Sequence, residues 1–218
     1  MYRVKEAFYT LQGEGAQAGR AAVFCRFSKC NLWTGREKDR ANAVCTFCDT
    51  DFVGTDGQNG GRFDTPAQLA DHIRQLWPDA PGKPYVVCTG GEPLLQLDEP
   101  LIEAFHKAGF EIGVETNGTL PAPEGIDWLC VSPKADAEVV ITECDELKVV
   151  YPQRLAPPER FEHIRARYYF LSPMASPSVP ESSEDPVRQS NTAKATHYCL
   201  AHPRWRLTLQ MHKIIGID

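Results

Sequence analysis

The chain has 218 residues, 42% of them apolar and 24% charged, with a formal net charge of -6. Those values exclude a disordered, collagenous or coiled-coil chain, and the acidic balance argues against broad contact with a phosphate backbone. Eight cysteines in 218 residues fall well below the density of a small disulfide scaffold.

In chain order, the first expected element is a strand at Val4–Leu11, followed by one at Val23–Ser28. A helix then has clear start chemistry: Thr65 as cap, Pro66 at the first helical position, and Gln68 completing a T-x-x-Q box. Its apolar residues Leu69, Ile73 and Leu76 share one face, and Pro78 stops it. A strand at Tyr85–Thr89 leads to a helix over about Asp98–Ala108, closed by Gly109. Strands at Glu111–Glu115, Trp128–Ser132 and Glu146–Val150 come next. A short helix near Pro158–Arg165 precedes a strand at Tyr168–Leu171, a helix over about Thr192–Ala201 and a last strand at Arg206–Gln210.

Alternation of strand, helix and strand implies parallel pairing. The links Thr116–Asp127 and Pro133–Asp145 are barely long enough for a crossover helix, so loops or very short helices are expected there. The fold class is therefore α/β: an incomplete, TIM-like barrel of about six or seven mostly parallel strands with few helices, short of the roughly 250 residues of a full barrel. Two segments stand apart. Asn31–Asp64 is polar and Gly-rich, and Ser172–Ser190 is rich in Ser and Pro and reads as an extended loop. No run approaches the length of an apolar membrane span. Met1–Glu6 lacks the apolar core of a signal peptide. The expected location is cytoplasmic, where thiols stay reduced.

The cysteines then need another role. Cys25, Cys88 and Cys130 lie in apolar strands and Cys199 in a helix, as small buried hydrophobes do; Cys144 sits in a turn and could pack or react. Cys30, Cys45 and Cys48 differ. Cys45-Thr46-Phe47-Cys48 is a C-x-x-C pair in a loop, and Cys30 ends the strand before it. Spacing alone admits a zinc knuckle, an iron–sulfur cluster or a redox dithiol. No nearby histidine offers a fourth zinc ligand, and three cysteines without a fourth suit a cluster with one open iron.

A second anchor follows Tyr85–Thr89, where the strand runs into Gly90-Gly91-Glu92-Pro93. Glycines at a strand end let a ligand approach the backbone closely. With the cysteine trio, this strand end resembles the radical S-adenosylmethionine (SAM) superfamily. There, three cysteines hold a [4Fe-4S] cluster whose fourth iron binds SAM, and the Gly-Gly-Glu-Pro strand end contacts the SAM amine. The usual spacing is C-x3-C-x2-C; here it is C-x14-C-x2-C, with Asn31–Val44 inserted. That departure narrows the resemblance to the 7-carboxy-7-deazaguanine synthase family. It is carried also by Tyr9–Gly15, Cys25-Arg26-Phe27, Phe47–Thr50, Glu115–Gly118, Ser132-Pro133-Lys134, Glu146–Val150 and Gln210–Lys213. It runs from residue 4 to the C-terminus, apart from the Ser/Pro loop.

The resemblance implies one radical SAM domain over 1–218, with a cluster-binding loop at 29–64 and a Ser/Pro-rich loop at 172–190. It makes Cys30, Cys45 and Cys48 the cluster ligands and Thr50 a ligand of a Mg²⁺ that also binds substrate. SAM contacts fall on Phe47, Asp49, Gly91, Glu115, Ser132, Pro133 and Lys134. They extend to Ser172, Pro173, Met174 and Ala175, where the family often carries Gln before Pro. Substrate contacts fall on Leu11, Gln12, Gly13, Arg26, Thr89, His212 and the terminal carboxylate of Asp218. An amide such as that of Gln12 meets both donors and acceptors of a fused heterocycle, and the planar fork of Arg26 matches a carboxylate. Arg26 alternates with Cys25 and Phe27, which places it on the opposite face, the side that would line a barrel interior.

The implied reaction is a radical ring contraction of 6-carboxy-5,6,7,8-tetrahydropterin to 7-carboxy-7-deazaguanine with release of ammonia, on the route to queuosine and related 7-deazapurines. The enzyme would be a carbon–nitrogen lyase whose cofactors do the hard chemistry, without a side-chain nucleophile. Implied partners are the pterin, an electron donor such as flavodoxin or ferredoxin, and a second copy of the chain; neither nucleic acid nor membrane is expected. The rivals are a radical SAM activase that acts on a protein partner and a non-enzymatic zinc-binding module.

Overall fold

Val23, Cys25 and Phe27 point to one side of their strand, while Ala22, Phe24 and Arg26 point to the other. The same period of two recurs in the strands that follow. In the computed structural model, which describes residues 1–177, 179 and 184–217, these strands form one open nine-stranded sheet. They are β1 (Tyr2–Leu11), β2 (Ala21–Phe27), β3 (Gly61–Phe63), β4 (Tyr85–Gly90), β5 (Glu111–Thr116), β6 (Trp128–Val131), β7 (Glu143–Tyr151), β8 (Arg165–Pro173) and β9 (Trp205–Leu207). Their order is β3-β1-β2-β4-β5-β6-β7-β8-β9. β2 and β4 to β9 pair parallel in succession, and β1 joins β2 and β3 by antiparallel pairing. The parallel run thus reaches seven, as expected, and the antiparallel edge extends the sheet to nine. No helix follows β5 or β6, in keeping with those short links. Among the described residues no helix is long and apolar enough to cross a membrane.

Among the described residues four helices accompany the sheet: α1 (Pro66–Leu76), α2 (Glu99–Lys107), α3 (Pro186–Ala201) and α4 (Met211–Ile215). The capping box of α1 forms as its sequence dictates. Gln68 N donates to Thr65 Oγ1 at 3.2 Å, and Thr65 N donates to Gln68 Oε1 at 3.2 Å. Leu69 and Ile73 of α1 and Leu101, Ile102 and Phe105 of α2 pack on Val4, Val23, Val86, Ile112 and Val114 of the sheet. A second core joins Val131, Leu147, Val149 and Leu171 to Ala195 of α3 and Trp205 of β9. Both cores absorb cysteines: Cys25 and Cys88 in the first, and Cys144 in the second, where it lies within β7 rather than in a turn. Cys199 of α3 is half-buried against the same second core.

Several expected boundaries shift, each for a local reason. α3 begins at Pro186, not near Thr192, because Asp185 caps it by accepting from Val187 N at 2.9 Å and Arg188 N at 3.1 Å. Pro186–Ser190 are therefore helical, and Ser172-Pro173 close β8, which shortens the loop read over Ser172–Ser190. Pro158–Arg165 is a single 3-10 turn, Pro158–Phe161, and Arg165 already belongs to β8. The last strand ends at Leu207. Beyond it, Met211 N donates to the Gly13 carbonyl at 3.0 Å and starts α4 instead. The polar loop Asn31–Asp64 holds a 3-10 turn, Glu37–Asn42, and the short strand β3.

Candidate active site

The helices cover one face of the sheet, so the inward positions of β2, β4, β5, β7 and β8 line a cleft on the other. Strand register sets neighbours there: Arg26 lies beside Thr89, Glu115 beside Cys130, and Val150 beside Ser172. The cleft encloses about 1470 Å³ counting its open mouth.

At one end stand the three cysteines. β2 stops at Phe27, and Lys29 turns the chain with φ of 79° before Cys30. The double glycine of β4 makes this turn possible. A Cβ on Gly91 would lie 2.1 Å from the Lys29 carbonyl oxygen and 2.8 Å from Cys30 Cβ. Close approach of the cysteine turn, not only of a ligand, therefore demands glycine here. Gly91→Ala is expected to cost about 1–3 kcal/mol through overpacking and to displace Cys30. Thermal unfolding and iron retained per chain after reconstitution check it, and wild-type values in both would contradict this account of the turn.

The insertion between Cys30 and Cys45 works as a brace. Arg40 Nη1 donates to the carbonyls of Thr46 at 3.0 Å and Cys48 at 2.9 Å, and its guanidinium lies 4.2 Å from the centre of the Trp33 ring. Leu32 N donates to Cys30 Sγ at 3.4 Å. The Cys45 thiol donates to Cys48, which raises Cys45 and lowers Cys48; burial raises both, and Lys134 favours both thiolates. Lys134 Nζ is held by Ser132 Oγ at 2.6 Å. Asp49 pairs with Lys213 of α4 at 2.7 Å.

At the other end is a network of buried charges. Lys148 Nζ lies 2.9 Å from Glu14 Oε2 and 2.9 Å from Glu115 Oε2. Gln12 Nε2 donates to Glu115 Oε1 at 3.2 Å, and Ser172 Oγ donates to Glu14 Oε1 at 2.8 Å. Burial works against the charges of Lys148 and Glu14. It is outweighed at Lys148 by Glu115 and Glu14, which hold the ammonium charged, and at Glu14 by Lys148, which holds the carboxyl at about 2. Below them Glu146 accepts from Ala16 N at 2.8 Å and from the Cys130 thiol at 3.6 Å, and burial pushes its carboxyl up. Arg26 Nε is held by Glu6 Oε1 at 2.7 Å, which fixes the guanidinium fork.

Most of the anticipated residues line this one cleft: Leu11, Gln12, Arg26, Cys30, Cys45, Phe47, Cys48, Asp49, Thr50, Thr89, Gly91, Glu115, Ser132, Lys134, Ser172, Pro173, Met174, Ala175 and His212. Gly13 and Pro133 lie behind the lining. Gly13 packs under His212, where an added Cβ would stand 2.1 Å from the ring's Nδ1. The Pro133 carbonyl accepts from Gln153 Nε2 at 3.4 Å. Asp218 falls outside the described residues. The backbone of Gln12 is already engaged, its N–H with Arg20 and its carbonyl with Gly19, both at 2.8 Å. Glu115 sits with Gln12 rather than among the cysteines. Glu92 does not line the cleft: it is fully buried and accepts from Thr116 Oγ1 at 2.7 Å and Asn117 N at 2.8 Å. Glu14, Lys148, Trp33 and Asn117 belong to the lining without having been singled out. For Lys148 there was a signal: Glu146 and Lys148 alternate within an apolar strand, so both share one face.

The model of the radical SAM superfamily matches residues 39–137, which takes in Cys45, Cys48 and the double glycine but starts after Cys30. Over 99% of both chains, the protein is 61% identical to the 7-carboxy-7-deazaguanine synthase of Bordetella pertussis and 59% identical to that of Caulobacter vibrioides. The chain belongs to the 7-carboxy-7-deazaguanine synthase family. The synthase of Burkholderia multivorans, 56% identical over the same share of both chains, agrees. The crystal structure of QueE from Escherichia coli shares the fold, with a TM-score of 0.66 at 24% identity over 97% of this chain and 94% of that one.

Enzymes of this family use a [4Fe-4S] cluster and SAM, and the cleft fits both. Trp33 Nε1 is buried in its lining and, among the described residues, has no acceptor, a donor left for a bound group. Among the described residues no three His, Cys, Asp or Glu side chains converge on one point. A cubane cluster takes each thiolate on a different iron, so its ligands share a cavity without meeting at a point.

Proposed function

We propose that this chain converts 6-carboxy-5,6,7,8-tetrahydropterin to 7-carboxy-7-deazaguanine with release of ammonia. Atoms balance without net oxidation, since the product is the substrate less one NH₃. The observation that carries the reading is a single cleft with three free cysteines at one end and a fixed guanidinium and buried Lys148–carboxylate network at the other. Held there, the cluster and SAM would supply the radical chemistry that the C6 position of the pterin requires.

The protein's own part is to bind, orient and exclude water. Cys30, Cys45 and Cys48 hold the cluster. Phe47, Asp49, Gly91, Ser132, Lys134 and the Ser172–Ala175 stretch hold SAM. Arg26 and Thr89 take the pterin carboxylate, and Thr50 would hold a Mg²⁺ that supplies positive charge beside it. Gln12, Glu14, Glu115 and His212 meet the ring. Glu115 is thereby assigned to the substrate and not to SAM, because its partners are Gln12 and Lys148. The chain is read as one radical SAM domain that works in the cytoplasm, supplied with electrons by a flavodoxin- or ferredoxin-like protein. It is also read as a homodimer: Leu209, Met211, Ile214, Ile215 and Ile217 leave apolar side chains exposed around α4.

Anaerobic reconstitution with iron and sulfide, then incubation with carboxytetrahydropterin, SAM, Mg²⁺ and dithionite, tests the reading. Deazaguanine carboxylate and ammonia are expected in equal amounts. A fully loaded enzyme that forms neither would sink it.

A further inference from the structure

A second, smaller pocket opens beside the cleft, and Phe52 walls both. Its charged lining residues are Arg3, Lys29 and Arg62, and no carboxylate lines it. Asp51 and Asp56, from the same loop, are engaged by Lys5 at 3.0 and 2.8 Å. Among the described residues the three cations make no ion pair with a carboxylate. Three cations thus share one pocket wall in a chain of net charge -6.

Its construction ties it to the cluster. Arg3 on β1 and Arg62 on β3 are direct partners in register, where like charges repel at some cost to the sheet. Lys29 takes its left-handed turn immediately before Cys30. Its carbonyl accepts from Glu92 N at 2.9 Å, and its N–H donates to the Phe52 carbonyl at 3.4 Å. The turn that presents the first cluster cysteine therefore also presents this positive face.

We propose that the Arg3–Lys29–Arg62 face is the docking site for an acidic protein that delivers the electron to the cluster. The proposal rests on the cluster reading above. One electron passes: the donor's reduced cofactor loses it and the cluster gains it, with no atom or proton exchanged. An acidic donor is repelled by most of this negative chain and drawn to the positive face, which raises its encounter rate at low salt. The Debye length of about 8 Å at physiological ionic strength confines that attraction to the patch.

The test uses the reconstituted full chain and an Arg3→Glu/Arg62→Glu variant, with Arg3→Gln/Arg62→Gln as a milder pair. Affinity for a reduced flavodoxin is measured by calorimetry at low and high salt. Turnover is measured with flavodoxin and, separately, with dithionite. The charge reversal is expected to weaken flavodoxin binding at least about tenfold at low salt and to flatten its salt dependence, with dithionite-driven turnover unchanged. The glutamine pair is expected to weaken binding less and to melt no lower than wild type, since it relieves the repulsion between Arg3 and Arg62. Binding within twofold of wild type in the reversed variant overturns the proposal. So does an equal loss with both reductants, or saturable binding of inorganic phosphate in place of flavodoxin. Failure of the function reading looks different: no deazaguanine forms with dithionite, whatever flavodoxin binding does.

Discussion

Lys148→Met is expected to cost the fold about 3–5 kcal/mol at pH 7, because it removes the ammonium that pairs with two largely buried carboxylates while leaving both in place. It should also change the response to acid. In the wild type, burial alone would raise Glu14, but Lys148 holds it at about 2, against an ordinary value of 4.5. A carboxyl with a depressed folded value contributes stability above its unfolded value. That contribution, about 3 kcal/mol at full strength, is lost as pH falls from about 4.5 towards 2. In Lys148→Met burial is opposed only by the Ser172 hydrogen bond and His212, so the folded Glu14 titrates higher than in the wild type and the acid limb becomes shallower. Urea midpoints between pH 3 and 8 check both parts. Glu14→Gln in the same background should recover part of the loss, since the two changes share one contact. A variant as stable as wild type at pH 7, with an unchanged acid limb, would refute the network's role.

That network shows where sequence reading stopped. Glu14 follows β1, Glu115 lies near the end of β5 and Lys148 is central in β7, so only the folded sheet brings them together. Nothing local in any of the three segments records the meeting. The alternation of Glu146 and Lys148 within an apolar strand was the available clue, because two charges on one strand face imply a polar interior or solvent. The cysteine trio was legible for the opposite reason. Sulfur chemistry, a C-x-x-C turn and a strand end are local facts. The insertion that sets Cys30 apart was legible as a departure in spacing, but not as the Arg40 brace it folds into.

The fold divides in the same way. The start of α1 was readable because Thr65, Pro66 and Gln68 carry all its information within four residues. The start of α3 carried a comparable signal, Asp185-Pro186, but it sat at the end of a Ser- and Pro-rich run that reads as loop. β3 has three residues and no periodicity of its own, and it exists because the edge of β1 accepts it. The apolar residues after Trp205 suggested a longer last strand, yet tertiary bonds decide the boundary. Thr208 Oγ1 accepts from Gly15 N at 2.8 Å, and Met211 N reaches Gly13. These contacts carry His212 to the cleft, which a continuing strand would not have done.

Two alanine substitutions should separate chemistry from packing among the eight cysteines. Cys30→Ala is expected to drop turnover to background and lower the iron retained on reconstitution, with little effect on the fold. Cys30 lines the cleft, is only half-buried, and packs in neither core. Its backbone is set by Lys29, Gly91 and Glu92, not by its sulfur. Cys25→Ala should do the reverse. Cys25 is fully buried beside Cys88 in the first core, and burial there pushes its thiol far up, so it offers no thiolate to a metal. Losing its sulfur leaves a small void that costs about 1 kcal/mol, while iron content and turnover per folded chain stay at wild-type values. Iron analysis, absorbance of the reconstituted protein and product formation, each normalised to folded protein, distinguish the two. An active Cys30→Ala enzyme, or a Cys25→Ala protein that cannot hold iron, would break the division between the cleft and the helix-covered face on which the site assignment depends.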